Sequence, residues 1–417
     1  MNKTNTDGKK LAYITTSNLY WNRFELNSLK EMYFTDAEIE KCTVQKGDLL
    51  VCEGGDIGRA AIWNFEKEIR IQNHIHRLRP YINLNINFYY YIFYYYKLIN
   101  LISGKGIGIQ GLSSNQLHSI LVPLPPILEQ NRIVSIIGKK FEIINYLENE
   151  NEDLLTTIEK TKSKILDLAI RGKLVPQDPN DEPASVLLEK IRAEKENLIK
   201  EGKIKRDKRE SVIYKGDDNS YFEVIGSKTT NITSEIPFEL PKSWRFERLK
   251  NIFIINPKNN ISDDTEVSFI PMALIEDMYS GKYSYEIKKW KECKNGFTHF
   301  AKDDIIFAKI SPCFENLKST YLQTLENGYG AGTTELYVLR RYTKEINPLF
   351  LLFFIKSKYF INIGKETFKG VVGQQRVKKE MLFEIMFPIP PLTEQKRIAD
   401  KVAELFSILD KITENLG

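Results

Sequence analysis

The side chains best suited to contacting a ligand lie in two glycine-rich segments. The segment from Gly104 reads GKGIGIQGLS, and the segment from Gly370 reads GVVGQQRVKK. Each places basic and amide groups beside flexible backbone, a composition that can reach phosphates and base edges of nucleic acid. An ordinary exposed turn is the alternative. The candidate residues for DNA contact are Lys105, Gln110, Lys369, Gln374, Gln375, Arg376 and Lys378.

A second group of candidates lies in two short polar clusters. The first reads NHIH, with Asn73 and His74 at its start, and the second reads GTTE, with Thr333 and Thr334 at its centre. Strand alternation would put His74 on the same face as the next histidine. Since no further ligands lie nearby in the sequence, a metal site is not favoured. A recognition strand that contacts DNA is our interpretation of both clusters.

The sequence does not predict a catalytic site. Asp304 and Lys309 faintly resemble the PD-(D/E)xK pattern of nucleases, but their alternation fits a plain buried strand. An adenine methyltransferase needs an NPPY-type motif, and Asn256 and Asn347 are each followed by a single proline. The four cysteines show no CxxC spacing, so neither a zinc site nor a disulfide framework is predicted.

One sequence pattern occurs twice, 265 residues apart. It reads PLPPILEQNRIVSIIGKKFEIIN from Pro123 and PIPPLTEQKRIADKVAELFSILD from Pro388. Upstream, VQKGDLLVCE from Val44 matches FAKDDIIFAK from Phe300, and an aromatic run follows in each copy. This spacing is too long for a solenoid repeat and indicates a duplicated module. We expect two heads, each with short strands, a helix or two, and loops.

The second head has an opening segment that the first lacks. Leu240–Ile252 has no counterpart before Lys10. We therefore expect the first head to be shortened at its N-terminus.

A helical period follows each proline-rich element. Apolar residues recur at coiled-coil spacing from Ile133 to Leu168, and Gly172 is a plausible C-cap. We expect the helix to run to about Arg171, and roughly 43 residues at 1.5 Å each make it about 65 Å long. The second copy begins its seam at Ile398 and is less than half as long. We expect the two helices to pair, leaving part of the seam around Ile158–Leu168 uncovered.

Between the heads the sequence is strongly charged. We predict a helix over Ala184–Gly202, then a basic run, Lys203–Arg209, and a polar linker that ends near Ile236. The basic run is either a solvated linker or a phosphate contact. The net charge of the whole chain is +5, which decides little by itself. No signal peptide is recognisable, and Phe88–Ile102 is too polar and short to span a bilayer, so we expect a cytoplasmic protein without a membrane partner.

Two heads, each followed by a PxPPxxEQ element and a coiled-coil helix, resemble the specificity subunit of Type I restriction–modification systems. ILDLAIRGKLVP from Ile165 resembles part of that family's central conserved region. The resemblance implies an α+β fold in which two mixed α/β target-recognition domains are joined by long antiparallel coiled-coil helices. It implies that each head reads one half of a bipartite DNA target, while the helices set the spacer and dock modification subunits.

The resemblance also implies partners and cofactors. This chain would bind double-stranded DNA, two modification subunits carrying S-adenosylmethionine, and restriction subunits using ATP and Mg²⁺. It would hold no cofactor or metal and have no catalytic residue. A truncated or silent specificity cassette and a coiled-coil scaffold that does not bind DNA are the alternatives.

We predict four regions on this basis. They are a shortened target-recognition domain over residues 1–127, a central helix, turn, second helix and basic linker over 128–210, a second target-recognition domain over 211–392, and a short conserved helix over 393–417. The repeated motif either docks a modification subunit or braces its helix, with bracing favoured for the Glu-Gln pairs. The residues concerned are Glu129, Gln130, Arg132, Glu394, Gln395 and Arg397.

Overall fold

The computed structural model describes residues 7–102, 111–207, 210–368 and 375–416. The chain forms two compact units, residues 1–150 and 151–417. Both combine helices with mixed sheets, which confirms the predicted α+β class. The finer division into four regions stays a prediction.

The first unit contains the first head, which is built on two small sheets. Its sheets have the strand orders β4-β1-β8-β5 and β7-β6-β9, and β2 and β3 form a hairpin. The strands are β1 (Lys9–Ile14), β2 (Leu19–Tyr20), β3 (Arg23–Phe24), β4 (Lys30–Phe34), β5 (Thr43–Val44), β6 (Leu49–Cys52), β7 (Ala60–Ile62), β8 (Ile69–Ile71) and β9 (Ile75–Leu78). The helices are α1 (Asp36–Cys42), α2 (Ile86–Leu98), α3 (Ser114–His118) and α4 (Ile127–Ile170), of which α4 continues into the second unit.

The second unit contains the second head and further helices. Its strands are β10 (Ser211–Lys215), β11 (Tyr221–Ile225), β12 (Lys228–Asn231), β13 (Arg245–Arg248), β14 (Phe253–Ile255), β15 (Glu266–Ile270), β16 (Glu286–Lys289), β17 (Thr298–Ala301), β18 (Ile305–Ala308), β19 (Ser319–Tyr321), β20 (Tyr329–Gly332), β21 (Leu336–Arg341) and β22 (Met386–Ile389). Its helices are α5 (Ala184–Lys200), α6 (Leu249–Ile252), α7 (Trp290–Cys293), α8 (Pro348–Ile355), α9 (Lys358–Glu366), α10 (Lys379–Glu384) and α11 (Leu392–Glu414).

The sheet topology repeats between the heads. The order β16-β15-β20-β17 in the second head reproduces β4-β1-β8-β5 in the first, including the parallel pairing of β15 with β20 and of β1 with β8. The strand trio β21-β18-β19 likewise reproduces β9-β6-β7. The aromatic helices α2 and α8 pack against these trios through buried tyrosines, phenylalanines and leucines. The duplication read from the sequence is therefore a duplication of the fold.

An ion pair between a buried aspartate and a more exposed arginine links the central strands in each head. Arg79 donates from Nε and Nη2 to the carboxylate of Asp48, both at 2.6 Å. Arg340 makes the same two bonds to Asp304, both at 2.8 Å. Burial raises the pKa of the Asp304 carboxyl, and the Arg340 guanidinium opposes that rise. Asp304, the residue in the faint nuclease pattern, is thus half of a repeated structural ion pair.

The glutamine of each proline-rich motif braces the aromatic helix of its head. Gln130 Oε1 accepts from the backbone N–H of Asn85 at 2.9 Å, and its Nε2 donates to the Pro125 carbonyl at 2.8 Å. Gln395 makes the same pair of bonds. Its Oε1 accepts from the Asn347 N–H at 2.8 Å, and its Nε2 donates to the Pro390 carbonyl at 3.1 Å. Both asparagines are the N-caps of the aromatic helices. Because Gln130 and Gln395 are each 1% exposed, their amides act inside their own heads.

The long helix ends as the sequence predicts. Helix α4 stops at Ile170, and Gly172 follows with φ of +66°. A Cβ at Gly172 would lie 2.5 Å from Pro241 Cγ, so both the backbone angle and the space require glycine.

The C-terminal part of α4 pairs with α11 in antiparallel orientation. Lys162 Nζ lies 2.7 Å from Asp410 Oδ1, while Gln177, which follows α4, donates to Glu394 near the start of α11. The predicted gap in the seam lies elsewhere: Ile158 and Ile165 are buried. The exposed seam residues instead lie nearer the start of α4, because α11 covers only its C-terminal part. They are Phe141, Ile144, Leu147 and Leu154.

The predicted polar linker is wrong, because much of it forms a sheet. Strands β10, β11 and β12 form an antiparallel meander. Ile213 is buried, and Glu223 accepts two hydrogen bonds from Arg248, at 3.0 and 2.8 Å. The many polar residues concealed the strand pattern, because this small sheet buries an ion pair as well as apolar side chains.

The opening segment of the second head has no structural counterpart in the first unit among the described residues. Strand β13 pairs along β22, whose Phe387 is buried. The segment of the first head that matches β22 by sequence offset is 121–124, where Leu121 and Leu124 are exposed and no strand forms. The apolar edge that β13 covers in the second head is therefore open in the first.

We expect the glutamine brace to contribute measurably to stability. Replacing Gln395 with methionine keeps the volume but leaves the Asn347 N–H and a proline carbonyl without partners, so the free energy of unfolding should fall by about 2 kcal/mol. Equilibrium denaturation followed by circular dichroism measures this free energy of unfolding. Lys396→Met, at the next and exposed position, should change the free energy by less than about 0.5 kcal/mol. Equal effects of the two variants would contradict the brace.

Candidate nucleic-acid interface

Three segments of the first head meet at the end of its central strand, at a place we call junction one. Glu53, which follows β6, donates its backbone N–H to the carbonyl of His74 at 2.9 Å. The Glu53 carbonyl accepts from Leu112 N–H at 2.7 Å, and His76 Nε2 lies 2.6 Å from the Leu112 carbonyl oxygen. Main-chain bonds thus hold the strand end, the turn before β9 and the segment after residues 103–110 together.

The second head has the same arrangement, which we call junction two. Lys309, which follows β18, donates its N–H to the carbonyl of Glu335 at 2.9 Å. The Lys309 carbonyl accepts from Val377 N–H at 2.8 Å, and the Tyr337 hydroxyl donates to the Val377 carbonyl at 3.0 Å. Each bond of junction one therefore has its equivalent here, made by residues of different types.

The side chains at the two junctions differ in charge. At junction one, His74 Nδ1 lies 3.6 Å from the Glu53 carboxylate. At junction two, Lys309 takes the place of Glu53, and Arg376 pairs with Glu335 at 2.9 Å. Hydrogen bonds from Arg376 lower the pKa of the Glu335 carboxyl, so that group is an anion at neutral pH. The same backbone frame thus presents two different polar surfaces.

Several sequence-predicted residues lie at these junctions. Asn73, His74 and Thr334 are exposed, and Thr333 is half-buried with its Oγ1 accepting from Glu335 N–H at 3.2 Å. They lie on turns, not on the predicted strands, because Ile75 N–H bonds back to the Gln72 carbonyl and the strand begins only afterwards.

Only the C-terminal residues of each glycine-rich segment are described, and the candidate residues among them lie in the second segment. Gln375 is half-exposed, and its carbonyl accepts from Ser311 N–H at 2.8 Å. Arg376 is exposed in its pair with Glu335, and Lys378 is the half-exposed N-cap of α10. Four predicted residues lie outside the described part of the chain: Lys105, Gln110, Lys369 and Gln374.

Sequence reasoning missed two residues of the junctions as ligand-facing candidates. They are Glu53 and Lys309, which fall at the ends of the repeated strands, whereas Glu335 belongs to the GTTE cluster that was proposed. The signal was available, because Glu53 and Lys309 occupy the same place in the matched VQKGDLLVCE and FAKDDIIFAK segments.

Apart from the glutamine, the charged residues of the repeated motif are less exposed in the second copy than in the first. Glu394 is buried and accepts from the indole Nε1 of Trp244 at 2.9 Å. Arg397 makes a two-bond ion pair with Asp181. Their counterparts Glu129 and Arg132 are exposed. The placement favours bracing for the second copy and leaves the first copy available to a partner.

No group of three or more His, Cys, Asp or Glu side chains in the described ranges is placed to hold a metal ion. In the same ranges, no helix has both the length and the apolar character that crossing a membrane requires.

Comparison with known protein families identifies the duplicated heads. The family model for the Type I restriction modification DNA specificity domain matches residues 2–157 and again residues 241–416. The chain belongs to this family. The two matched ranges contain junction one and junction two, so both heads are family domains.

Two curated relatives from Escherichia coli are similar over part of their length. The Type I restriction enzyme EcoAI specificity subunit is 46% identical over 258 residues, which cover 62% of this chain and 41% of that protein. The EcoEI specificity subunit is 43% identical over 258 residues, which cover 62% of this chain and 40% of that protein. The chain thus spans about two fifths of the length of these relatives.

Solved structures share the fold of this family member. The HsdS subunit from Thermoanaerobacter tengcongensis has a TM-score of 0.53 at 14% identity, covering 98% of this chain and 86% of its own. A chain from a structure on complex assembly and conformational transition of the type I R-M system has a TM-score of 0.58 at 13% identity, with coverage of 98% and 87%. At these identities the likeness concerns the fold alone.

We expect the buried Glu394 to make stability depend on pH. Burial raises the pKa of its carboxyl above the usual 4.5, and hydrogen bonds from Trp244 and Gln177 oppose that rise. A carboxyl whose pKa is raised by folding favours the folded state below pH 4.5, and this contribution is lost as the pH rises through the raised pKa. Glu394→Gln can still accept from Trp244 but does not titrate. Its free energy of unfolding, relative to that of the wild type, should therefore increase from pH 4 to pH 8.

Denaturant unfolding of both proteins at several pH values measures this difference. Glu404→Gln, a change at an exposed position of the same helix, is the control and should track the wild type. A constant difference between wild type and Glu394→Gln across this range would contradict a raised pKa.

Proposed function

We propose that this chain is the DNA sequence-recognition subunit of a Type I restriction–modification complex, with junction one and junction two each reading one half of a bipartite target. The observation that supports this most directly is the pair of junctions, which share every main-chain bond described above but carry different side chains. A frame that is kept while its exposed groups change suits two readers of unlike sequences. Family membership of both heads supports the same proposal.

The chemistry of the junctions fits base recognition. Arginine commonly contacts guanine, carboxylates accept from the cytosine amino group, and amides pair with adenine. Arg376, Glu335 and Gln375 offer these groups at junction two, and Asn73, His74 and Glu53 offer a different set at junction one. Contacts to phosphates would supply much of the affinity, whereas these side chains would select the sequence.

The partners follow from the same proposal. Two modification subunits, which would carry S-adenosylmethionine, would dock on the helices and methylate the bound DNA. Restriction subunits using ATP and Mg²⁺ would cleave it, while this chain would contribute no catalytic residue. The helices would set the unspecified spacer between the half-sites. The exposed Glu129 and Arg132, together with the exposed seam of α4, are the docking surface we propose.

Mapping methylated adenines tests the two-headed model. A host that expresses this chain with its modification subunits should show methylation at a bipartite motif with an unspecified spacer. Glu335→Gln with Arg376→Gln should relax or change the half-site read by junction two, because both charged groups are replaced. Glu53→Gln with His74→Gln should affect only the other half-site.

The control and the motif are readable in the same maps, whereas assembly of the complex and DNA binding are measured separately. Lys401→Gln, at a half-exposed position of α11, should leave the whole motif unchanged. A single undivided motif would contradict two reading heads. Absence of methylation despite an assembled complex would indicate a silent cassette, and absence of any salt-dependent DNA binding would favour a scaffold.

A further inference from the structure

Five lysines line one cavity of about 720 Å³ in the second unit. The cavity lies along strand β14 and is bordered by helix α10 and the end of the basic run, residues 204–207. The lysines come from α5, the basic run, α6, the residues after β14, and the start of α10. They are Lys195, Lys205, Lys250, Lys258 and Lys379.

The positive charge of this lysine cleft is only partly neutralised. Lys195 pairs with Glu210 at 2.8 Å, and Lys250 lies 3.7 Å from Asp207. The other three lysines are exposed, and none has a carboxylate within ion-pair distance among the described residues. The carboxylates in the lining are those of Asp207 and Glu384. Five ammonium groups therefore face three carboxylates, those of Asp207, Glu384 and Glu210, and this surplus of positive charge makes the cleft attractive to an anion.

The two ion pairs also position the cleft wall. Lys195 of α5 binds Glu210, and Lys250 of the second head lies 3.7 Å from Asp207, so this end of the basic run lies between α5 and the second head. Arg206 adds a two-bond pair to Glu196 of α5. Lys205 lies in the lining of the cleft with its side chain exposed, where an anion can reach it. This favours phosphate contact, one of the two interpretations that the sequence left open.

The lysine cleft begins beside junction two. Strand β14 pairs with β21, which starts directly after the Glu335 turn, and Asn256 N–H bonds to the Val338 carbonyl at 2.9 Å. Lys258 follows Asn256 on that side, and Lys379 comes two residues after Val377 of the junction. Lys195 lies at the other end, beside Tyr342, which follows β21. A strand of DNA contacting the junction could continue along this row.

We propose that the lysine cleft binds backbone phosphates of the DNA that flanks the half-site read by junction two. This inference rests on the proposed function and adds to it a site that carries affinity without sequence choice. Because phosphate contacts hold a duplex in register but do not distinguish bases, loss of the cleft should weaken binding to all sequences alike. A free polyphosphate shares this chemistry, so the test separates the two sources.

The test uses the complex of the full chain with its modification subunits. DNA affinity is measured by fluorescence anisotropy between about 50 and 200 mM salt, the range over which released counterions change affinity strongly. In Lys205→Ala/Lys258→Ala/Lys379→Ala, the slope of log affinity against log salt should become less negative by about 2.7, since each lost phosphate contact removes about 0.9. The methylated motif should stay the same. The triple lysine-to-arginine variant should restore the wild-type slope.

A matched triple variant controls for net charge. Lys289, Lys291 and Lys294 lie in the same unit but outside the cleft, and each is within 4.0 Å of Asp263 or Asp264. Their replacement by alanine removes the same charge and should leave the slope close to that of the wild type. Equal slopes for the cleft variant and the wild type, with sequence-specific binding intact, would overturn the cleft proposal alone. Failure of the wild-type complex to bind any specific sequence would overturn the proposed function itself.

Inorganic tripolyphosphate tests the other source of phosphate. The wild type and the cleft variant could show the same salt slope for DNA while tripolyphosphate binds only the wild type. The cleft then holds a free polyphosphate, and the DNA assignment is wrong. The DNA assignment is supported if tripolyphosphate competes only weakly with DNA for the wild-type chain and the salt slope of the cleft variant becomes less negative as expected.

Discussion

The main-chain hydrogen bonds around Glu53 and Lys309 are the constraint on which the rest of this structure depends. Each of these residues donates its N–H to the turn before β9 or β21, and its carbonyl accepts from the C-terminal part of a glycine-rich segment. Because the bonds involve backbone atoms, they do not depend on the side chains. The position of three polypeptide segments is therefore fixed separately from the chemical groups that they expose.

Polar contacts of buried side chains support this arrangement in both heads. The Asp48–Arg79 and Asp304–Arg340 pairs hold a buried aspartate beside each strand trio, and the glutamine braces fix the start of the aromatic helices that pack on the trios. Removing the arginine of such a pair leaves a buried carboxylate without its partner, which destabilises the folded state. These residues are the same in both heads, whereas the exposed residues at the junctions differ even in sign of charge.

The sequence predicted the architecture better than the site. The doubled proline-rich motif and the matched strand segments indicated a duplicated α+β head, and Gly172 marked the end of the long helix. The sheet of residues 211–231 was not foreseen, because its buried Glu223 is polar and pairs with Arg248 from outside the segment. The uncovered part of the seam was placed wrongly, since the sequence does not show which part of α4 the shorter α11 covers.

Individual functional residues were harder to predict for the same reason. Nothing local in the sequence shows that Gln130 and Gln395 are buried, or that Arg376 pairs with Glu335 from 41 residues away. Such contacts depend on tertiary neighbours. The turn at Asn73 and His74 was mistaken for a strand because the polar-apolar alternation of NHIH suits a strand. In the structure the Ile75 N–H bonds to the Gln72 carbonyl, which makes these two residues a turn.

The equivalence of the two backbone junctions has a consequence for how such proteins change. When two scaffolds hold the same backbone geometry, an exposed side chain at either junction can be exchanged without redesign of the underlying core. A new pairing of half-sites could then arise from substitutions at the exposed positions alone. Such substitutions would act at the positions of Glu53 and Lys309, and of His74 and Glu335.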